Sequence, residues 1–407
     1  MNSVFLEPLD VLFLRGNKLF GDPGSFGESM IPPWPSVAAG AIRSRMLVDG
    51  GIDPAAFARG EVEHPELGTP ARPGPFTLTA FHLARRYCNG HVEVLYQIPA
   101  DLVVSEDANG APSVRTLTPN PLLRVEGLAC SGPLPLLPVL AETKRSKPAS
   151  GYWLTQKGWE KYLIGQTPQG DDLVKSDILW KLDHRVGVGL DAATHRAAEG
   201  RLFFVQAVSM VKQCNRIGMD SYDVGFLATV TGATPPQDGT LRLGGDGRAA
   251  AIRPIRPATA KLPEADFSSI AQAGRCRLVL ATPGIFPGGW RLPGMDENGI
   301  FRFGNIRARV VSAAVPRFEV VSGWDLAKWQ PKPAQRVAPT GSVYWLDELE
   351  ATPEAIRKLA ERGLWTDEDY DVNTRRAEGF NRISFAKWER KENRKCSKNT
   401  LPYSCMP

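Results

Sequence analysis

The stretch 31–46, IPPWPSVAAGAIRSRM, constrains this chain more than any other. Pro32, Pro33 and Pro35 end whatever strand precedes them, because proline fixes φ and has no amide hydrogen to give a sheet ladder. Ser36 is placed to cap the helix that follows, its hydroxyl accepting from an orphan amide of the first turn. Ala39, Ile42 and Met46 then form one buried stripe. Ala38, Gly40 and Ala41 are small enough to let that helix approach a sheet closely. Arg43 and Arg45 are two positions apart, roughly 200° around the axis, so at most one faces any given ligand. The preceding segment FLEPLDVLFLRGNKLFG (5–21) supplies a strand running into a turn.

Further on, PFTLTAFHLARRY (75–87) and HVEVLYQIPADLVV (91–104) flank Asn89-Gly90, a strong hairpin signal. A Pro- and Ser-rich connection follows over 105–150, with a basic patch at 144–147, and TQKGWEKYLIG (155–165) reads as a short helix. From about residue 200 strands dominate: 200–210, 223–232, 276–286, 308–324, 341–348 and 383–389 are rich in β-favouring residues. Between them, 352–365 is a helix with Thr352 as cap, Pro353 at its first position and Gly363 near its end. Many strands with two or three helices make an α+β chain, compatible with two ferredoxin-like (RRM-like) modules carrying long loop insertions. A length of 407 residues is enough for two cores. The expected division is residues 1–199, residues 200–390, and a basic tail at 391–407 that is expected to be disordered.

Several chemistries find no support. No apolar run approaches the roughly 20 residues needed to span a bilayer, and MNSVFLEPLD lacks the basic start and apolar core of a secretory signal. The six cysteines are scattered without a Cys-x-x-Cys pair, which argues against a zinc site and a disulfide framework. The expected compartment is the cytoplasm. Gly187-x-Gly189 lacks the further glycine of a dinucleotide loop, position 192 being Ala, and a Walker loop is absent, so no cofactor is expected. Asp183-His184 is half of a metal phosphohydrolase signature with no further histidine cluster beside it, and no Gly-x-Ser-x-Gly elbow occurs.

A net charge of +5 permits a nucleic-acid partner only where the charge is concentrated. Arg302, Arg307, Arg309 and Arg317 fall within 301–317 with no acid among them, and 375–398 holds nine Lys or Arg against three Glu. Phe301, Phe303, Phe380 and Trp388 are candidate stacking surfaces for unpaired bases, the alternative being core packing. Arg185, His195 and Arg196 around the two glycines outline a phosphate-holding loop; the alternative is a tight strand-to-turn passage. Gly244-Gly245-Asp246-Gly247 is a turn whose backbone can approach a phosphate because no Cβ stands in the way, or else a plain hairpin tip.

The opening motifs resemble RAMP-superfamily CRISPR proteins, specifically the Cmr-complex subunit of type III-B systems that holds the 5′ end of the guide RNA. That family begins with PLD-x-LFFRDG-x-PF and then PP-x-P-S-x-x-AGALR. The matching residues here are Pro8, Leu9, Asp10, Leu12, Phe13, Arg15, Gly16 and Phe20, then Pro32, Pro33, Pro35, Ser36, Ala39, Gly40, Ala41, Ile42 and Arg43. Similar segments follow in order at 184–208, 243–250, 280–290, 322–348 and 375–388. One departure is Gly379-Phe380-Asn381-Arg382, where a second glycine is usual.

The resemblance implies a non-catalytic RNA-binding and assembly subunit. It would grip the repeat-derived 5′ handle of crRNA and contact the large cyclase-containing subunit and the backbone RAMP subunits. The residues expected to touch RNA are Arg43, Arg185, His195, Arg196, Gly244, Gly245, Arg302, Arg307, Arg309, Arg376 and Gly379. The alternatives are a metal-independent endoribonuclease of CRISPR repeats using His184 or His195 as general base, and a bridge that touches protein only.

Overall fold

Three successive residues of the first strand, Asn2–Pro8, are buried, Val4 and Leu6 facing one core and Phe5 another, so this strand belongs to a sheet covered on both sides. A computed structural model describes residues 2–16, 26–120, 132–142, 147–213, 221–255, 262–325, 330–371 and 373–389. The tail 391–407 and most of the basic patch at 144–147 lie outside the described residues.

The architecture is α+β, with strands predominating. One eight-stranded sheet runs in the order Leu173–Lys175, Tyr152–Leu154, Val92–Gln97, Thr77–Tyr87, Tyr222–Thr231, Asn2–Pro8, Ala249–Pro254, Thr240–Arg242. A five-stranded sheet runs Ile300–Phe303, Ile306–Ala314, Val343–Glu350, Cys276–Leu280, Ile383–Lys387. Both are antiparallel throughout.

The helix Pro35–Asp49 lays Ala38, Ala39, Ile42 and Met46 on the outer face of the first sheet, against Leu6, Leu83 and Phe226. Helices Phe267–Ala273 and Pro353–Arg362 cover the outer face of the second with Ile270, Ile356 and Leu359. Phe5 and Leu227 from the first sheet meet Val279, Val343 and Trp345 from the second. Four layers result, and the middle two share an apolar seam.

One ion pair lies within that seam. Arg277, 5 % exposed, donates to Asp101 at 2.7 Å and to the carbonyl of Tyr162 at 2.9 Å. The Tyr162 hydroxyl donates to the same carboxylate at 2.9 Å. Elsewhere the layers enclose a cleft of about 860 Å³, lined by polar groups that include Ser3, Thr79, His82, Thr229 and Ser384. Burial in the cleft wall pushes the His82 imidazole down to about 4.

Two expectations are corrected. The helix begins at Pro35 with Trp34 in the capping position and no side-chain cap bond, so Ser36 lies inside the first turn; proline, with no amide to satisfy, takes the first helical place instead. Position 200 falls inside the strand Ala197–Met210, and the first sheet recruits strands out to Pro254. Asn89-Gly90 does close a hairpin, between Thr77–Tyr87 and Val92–Gln97, with Gly90 at φ +85°. Thr352 caps Pro353–Arg362 by accepting from the Ala355 amide.

Candidate nucleic-acid interface

After the first strand the chain continues extended, and Leu12 exchanges both backbone hydrogen bonds with Val208 at 2.8 Å. This pins Phe13 over Val205 and Ala207. From the other side, the Gly245 amide donates to the Phe13 carbonyl at 2.8 Å. Gly244 has φ +80°, and a Cβ there would stand 2.7 Å from the same carbonyl oxygen, so only glycine lets the turn come this close.

That approach gathers three arginines from distant parts of the chain. The guanidiniums of Arg15, Arg185 and Arg248 lie 5.8, 5.8 and 5.2 Å from the centre of the Phe13 ring. Each also meets a carboxylate: Arg15 with Asp246 at 3.3 Å, Arg185 with Asp183 at 2.8 Å, Arg248 with Asp10 at 2.8 Å. Guanidinium forks grouped in this way suit phosphate recognition, while the Phe13 ring beneath them is buried and serves as their platform. Beside them runs the hairpin Trp180–Leu190 with Ala197–Met210, which carries exposed Val186, Val188, Leu190, Leu202, Phe203 and Phe204.

Of the residues expected to touch RNA, Arg185, Gly244 and Gly245 come together here. Arg15 and Arg248 were missed, although both stand in segments that resemble the family's motifs. His195 and Arg196 sit apart at the exposed hairpin tip. There the Thr194 amide and hydroxyl, with the Ala193 amide, hold the Asp191 carboxyl below its usual range. Arg185 is five strand residues from Leu190, about 17 Å, so these groups form no single phosphate loop. Gly187 and Gly189 are strand residues, and the Phe203 side chain lies across Gly187 where a Cβ would collide. The glycine pair serves cross-strand packing.

The other residues expected to touch RNA stand elsewhere in the fold. Arg302, Arg307 and Arg309 are paired with Asp296 at 3.4 Å, Glu350 at 2.5 Å and Glu348 at 3.8 Å; two of these acids come from the neighbouring strand. Arg376 is 6 % exposed and donates to Thr77 Oγ1 at 2.6 Å and to the Gly74 carbonyl at 3.2 Å. Gly379, at φ +87°, allows a close pass over Leu78, and Phe380 and Phe301 are fully buried. These residues build the core. Arg43 is half-buried, and that burial lowers its pKa while Glu378 opposes the shift. Glu378 itself accepts from Arg375 at 2.8 Å and Lys332 at 2.7 Å.

Among the described residues no three His, Cys, Asp or Glu gather as metal ligands, and no helix is long and apolar enough to cross a membrane.

The model of the family described as CRISPR-associated protein (Cas_Cmr3) matches residues 4–388, and the chain belongs to that family, as its motifs indicated. No curated protein matches the sequence. Among solved structures, a chain from "Cryo-EM structure of the Type III-B Cmr-beta bound to cognate target RNA and AMPPnP, state 1" is 13 % identical with TM-score 0.45, covering 95 % of this chain and 99 % of that one. A chain from "Cryo-EM structure of the Type III-B Cmr-beta bound to cognate target RNA" is 14 % identical with TM-score 0.45, covering 94 % and 96 %.

Proposed function

We propose that the protein is a non-catalytic, cytoplasmic RNA-binding and assembly subunit of a type III-B CRISPR effector in antiviral defence. It grips the repeat-derived 5′ handle of the guide RNA and docks the large cyclase-containing subunit and the backbone RAMP subunits. The observation that carries this reading is the convergence of Arg15, Arg185 and Arg248 on Phe13. Three motif segments, far apart in sequence, bring partly exposed guanidiniums to one point of the surface, an arrangement that suits a phosphate-bearing ligand. Phosphates position the strand there and unstacked bases lie against apolar surface.

Two ferredoxin-like modules carry the rim, on this reading. The strand order Ala249–Pro254, Asn2–Pro8, Tyr222–Thr231, Thr77–Tyr87 supports it, as does Ile383–Lys387, Cys276–Leu280, Val343–Glu350, Ile306–Ala314: each has the fourth, first, third, second order of a βαββαβ unit. The first keeps the helix of its first crossover, Pro35–Asp49, and the second keeps that of its second, Pro353–Arg362.

The test is photocrosslinking of the reconstituted complex to guide RNA labelled in its handle. Crosslinks are expected within 11–15 and 244–248; handle crosslinks confined to other polypeptides overturn the reading. Incubation of the purified chain with repeat RNA and EDTA is expected to leave the RNA intact. Cleavage lost on His184→Ala or His195→Ala would instead establish the nuclease.

A further inference from the structure

Among the described residues, the three guanidiniums around Phe13 are matched by three carboxylates: Arg15, Arg185 and Arg248 against Asp246, Asp183 and Asp10. An interface for a polyanion that cancels its own charge needs a reason. We propose that this cluster is stored closed, and that an incoming phosphodiester strand opens it by taking the three guanidiniums from the three aspartates. The inference rests on the reading of this rim as an RNA interface.

Three features fit an exchangeable pairing. The carboxylates are 48, 46 and 65 % exposed, so each returns to water without leaving a buried charge behind. Exposed ion pairs of this kind hold weakly, whereas a phosphate offers a guanidinium a charged, bidentate acceptor. The other oxygen of Asp10 accepts from the Val11 amide at 2.7 Å, which keeps that carboxylate in place when its arginine leaves. By contrast Glu378, whose side chain is 5 % exposed, is held by two cations at once and has no water to return to. The closed state gives the rim a purpose beyond charge: guanidiniums held in position by aspartates suppress capture of arbitrary polyanions and yield to a strand that satisfies several of them together.

Binding of the full-length chain to a short, unstructured RNA with a 5′ fluorophore, followed by anisotropy, tests this. Asp10→Asn, Asp183→Asn and Asp246→Asn are each expected to tighten binding about two- to fivefold. The combined Arg15→Gln, Arg185→Gln, Arg248→Gln variant is expected to weaken it about a hundredfold. It should also flatten the dependence of log K on log salt by about two, from three single-strand phosphate contacts. Asn variants that bind equally or more weakly, while the Gln variant is impaired, overturn the exchange and make the aspartates fixed parts of the fold. A Gln variant that binds normally overturns the RNA reading itself. Melting curves of every variant separate these outcomes from unfolding; if the combined Gln variant does not fold, single Arg→Gln variants carry the same comparison.

Discussion

At the seam between the sheets, Arg277 is 5 % exposed and its partner Asp101 not at all, and Arg277 also donates to the Tyr162 carbonyl. At the rim around Phe13, the three arginines keep 30 to 41 % of their side-chain surface and face carboxylates that are more open still. The chemistry is the same and the consequence is opposite. Removed from water, a guanidinium and a carboxylate must stay together, because either one alone is a buried charge. In water they are free to change partners. Arginine is architecture in the first region and, on the proposed reading, interface in the second; burial makes the first pairing permanent and exposure leaves the second exchangeable.

The largest expected effect lies at the seam. Arg277→Met leaves Asp101 buried with only the Tyr162 hydroxyl, and should cost about 3–5 kcal/mol in urea unfolding. RNA affinity of the folded fraction should not change. A loss below about 1 kcal/mol would mean that the seam pair is as dispensable as a surface pair, and the contrast would fail.

A smaller effect follows from His82 in the cleft wall. Its folded pKa, about 4, lies below the ordinary 6.5, so the fold favours the neutral ring. Above pH 6.5 both states are neutral and nothing is lost. Between 6.5 and 4 the unfolded chain takes up a proton that the folded one refuses, and stability falls by up to about 3 kcal/mol. Unfolding at pH 7.5 and pH 4.5 should show that difference in the native chain and less of it in His82→Gln. An equal pH dependence in both assigns it to other groups.

Local signals in the sequence were legible and non-local ones were not. Asn89-Gly90 and Thr352 act through neighbours a few residues away, and both do what their chemistry dictates. Arg15 and Arg248 stand in recognisable segments. Their meeting, however, depends on the Phe13 carbonyl reaching the Gly245 amide across more than 200 residues, which no spacing reveals. A division at 200 failed for the same reason, since Tyr222–Thr231 and Ala249–Pro254 return to flank the first strand after a long excursion. Gly187-x-Gly189 looked like a loop because its reason, the Phe203 side chain, lies on the partner strand.

The smallest expected effect concerns the arginines that looked most like an RNA track. Within 301–317 there is no acid, yet Arg307 is registered opposite Glu350, and Arg309 reaches Glu348 from the same neighbouring strand. Arg302 meets Asp296, whose other oxygen is committed to the Asn298 and Ile300 amides. Each arginine has its own carboxylate; Arg302 is registered opposite Arg307, so the three lie along one strand face rather than around a common ring. The combined Arg302→Gln, Arg307→Gln, Arg309→Gln variant should therefore change stability by less than about 1 kcal/mol and RNA affinity by less than about twofold. The triple substitution at the rim supplies the matched comparison, because it removes the same number of charges. Equal losses from the two variants would show that the overall positive field, and not the geometry at Phe13, holds the strand, since a field counts charges and is indifferent to where they converge.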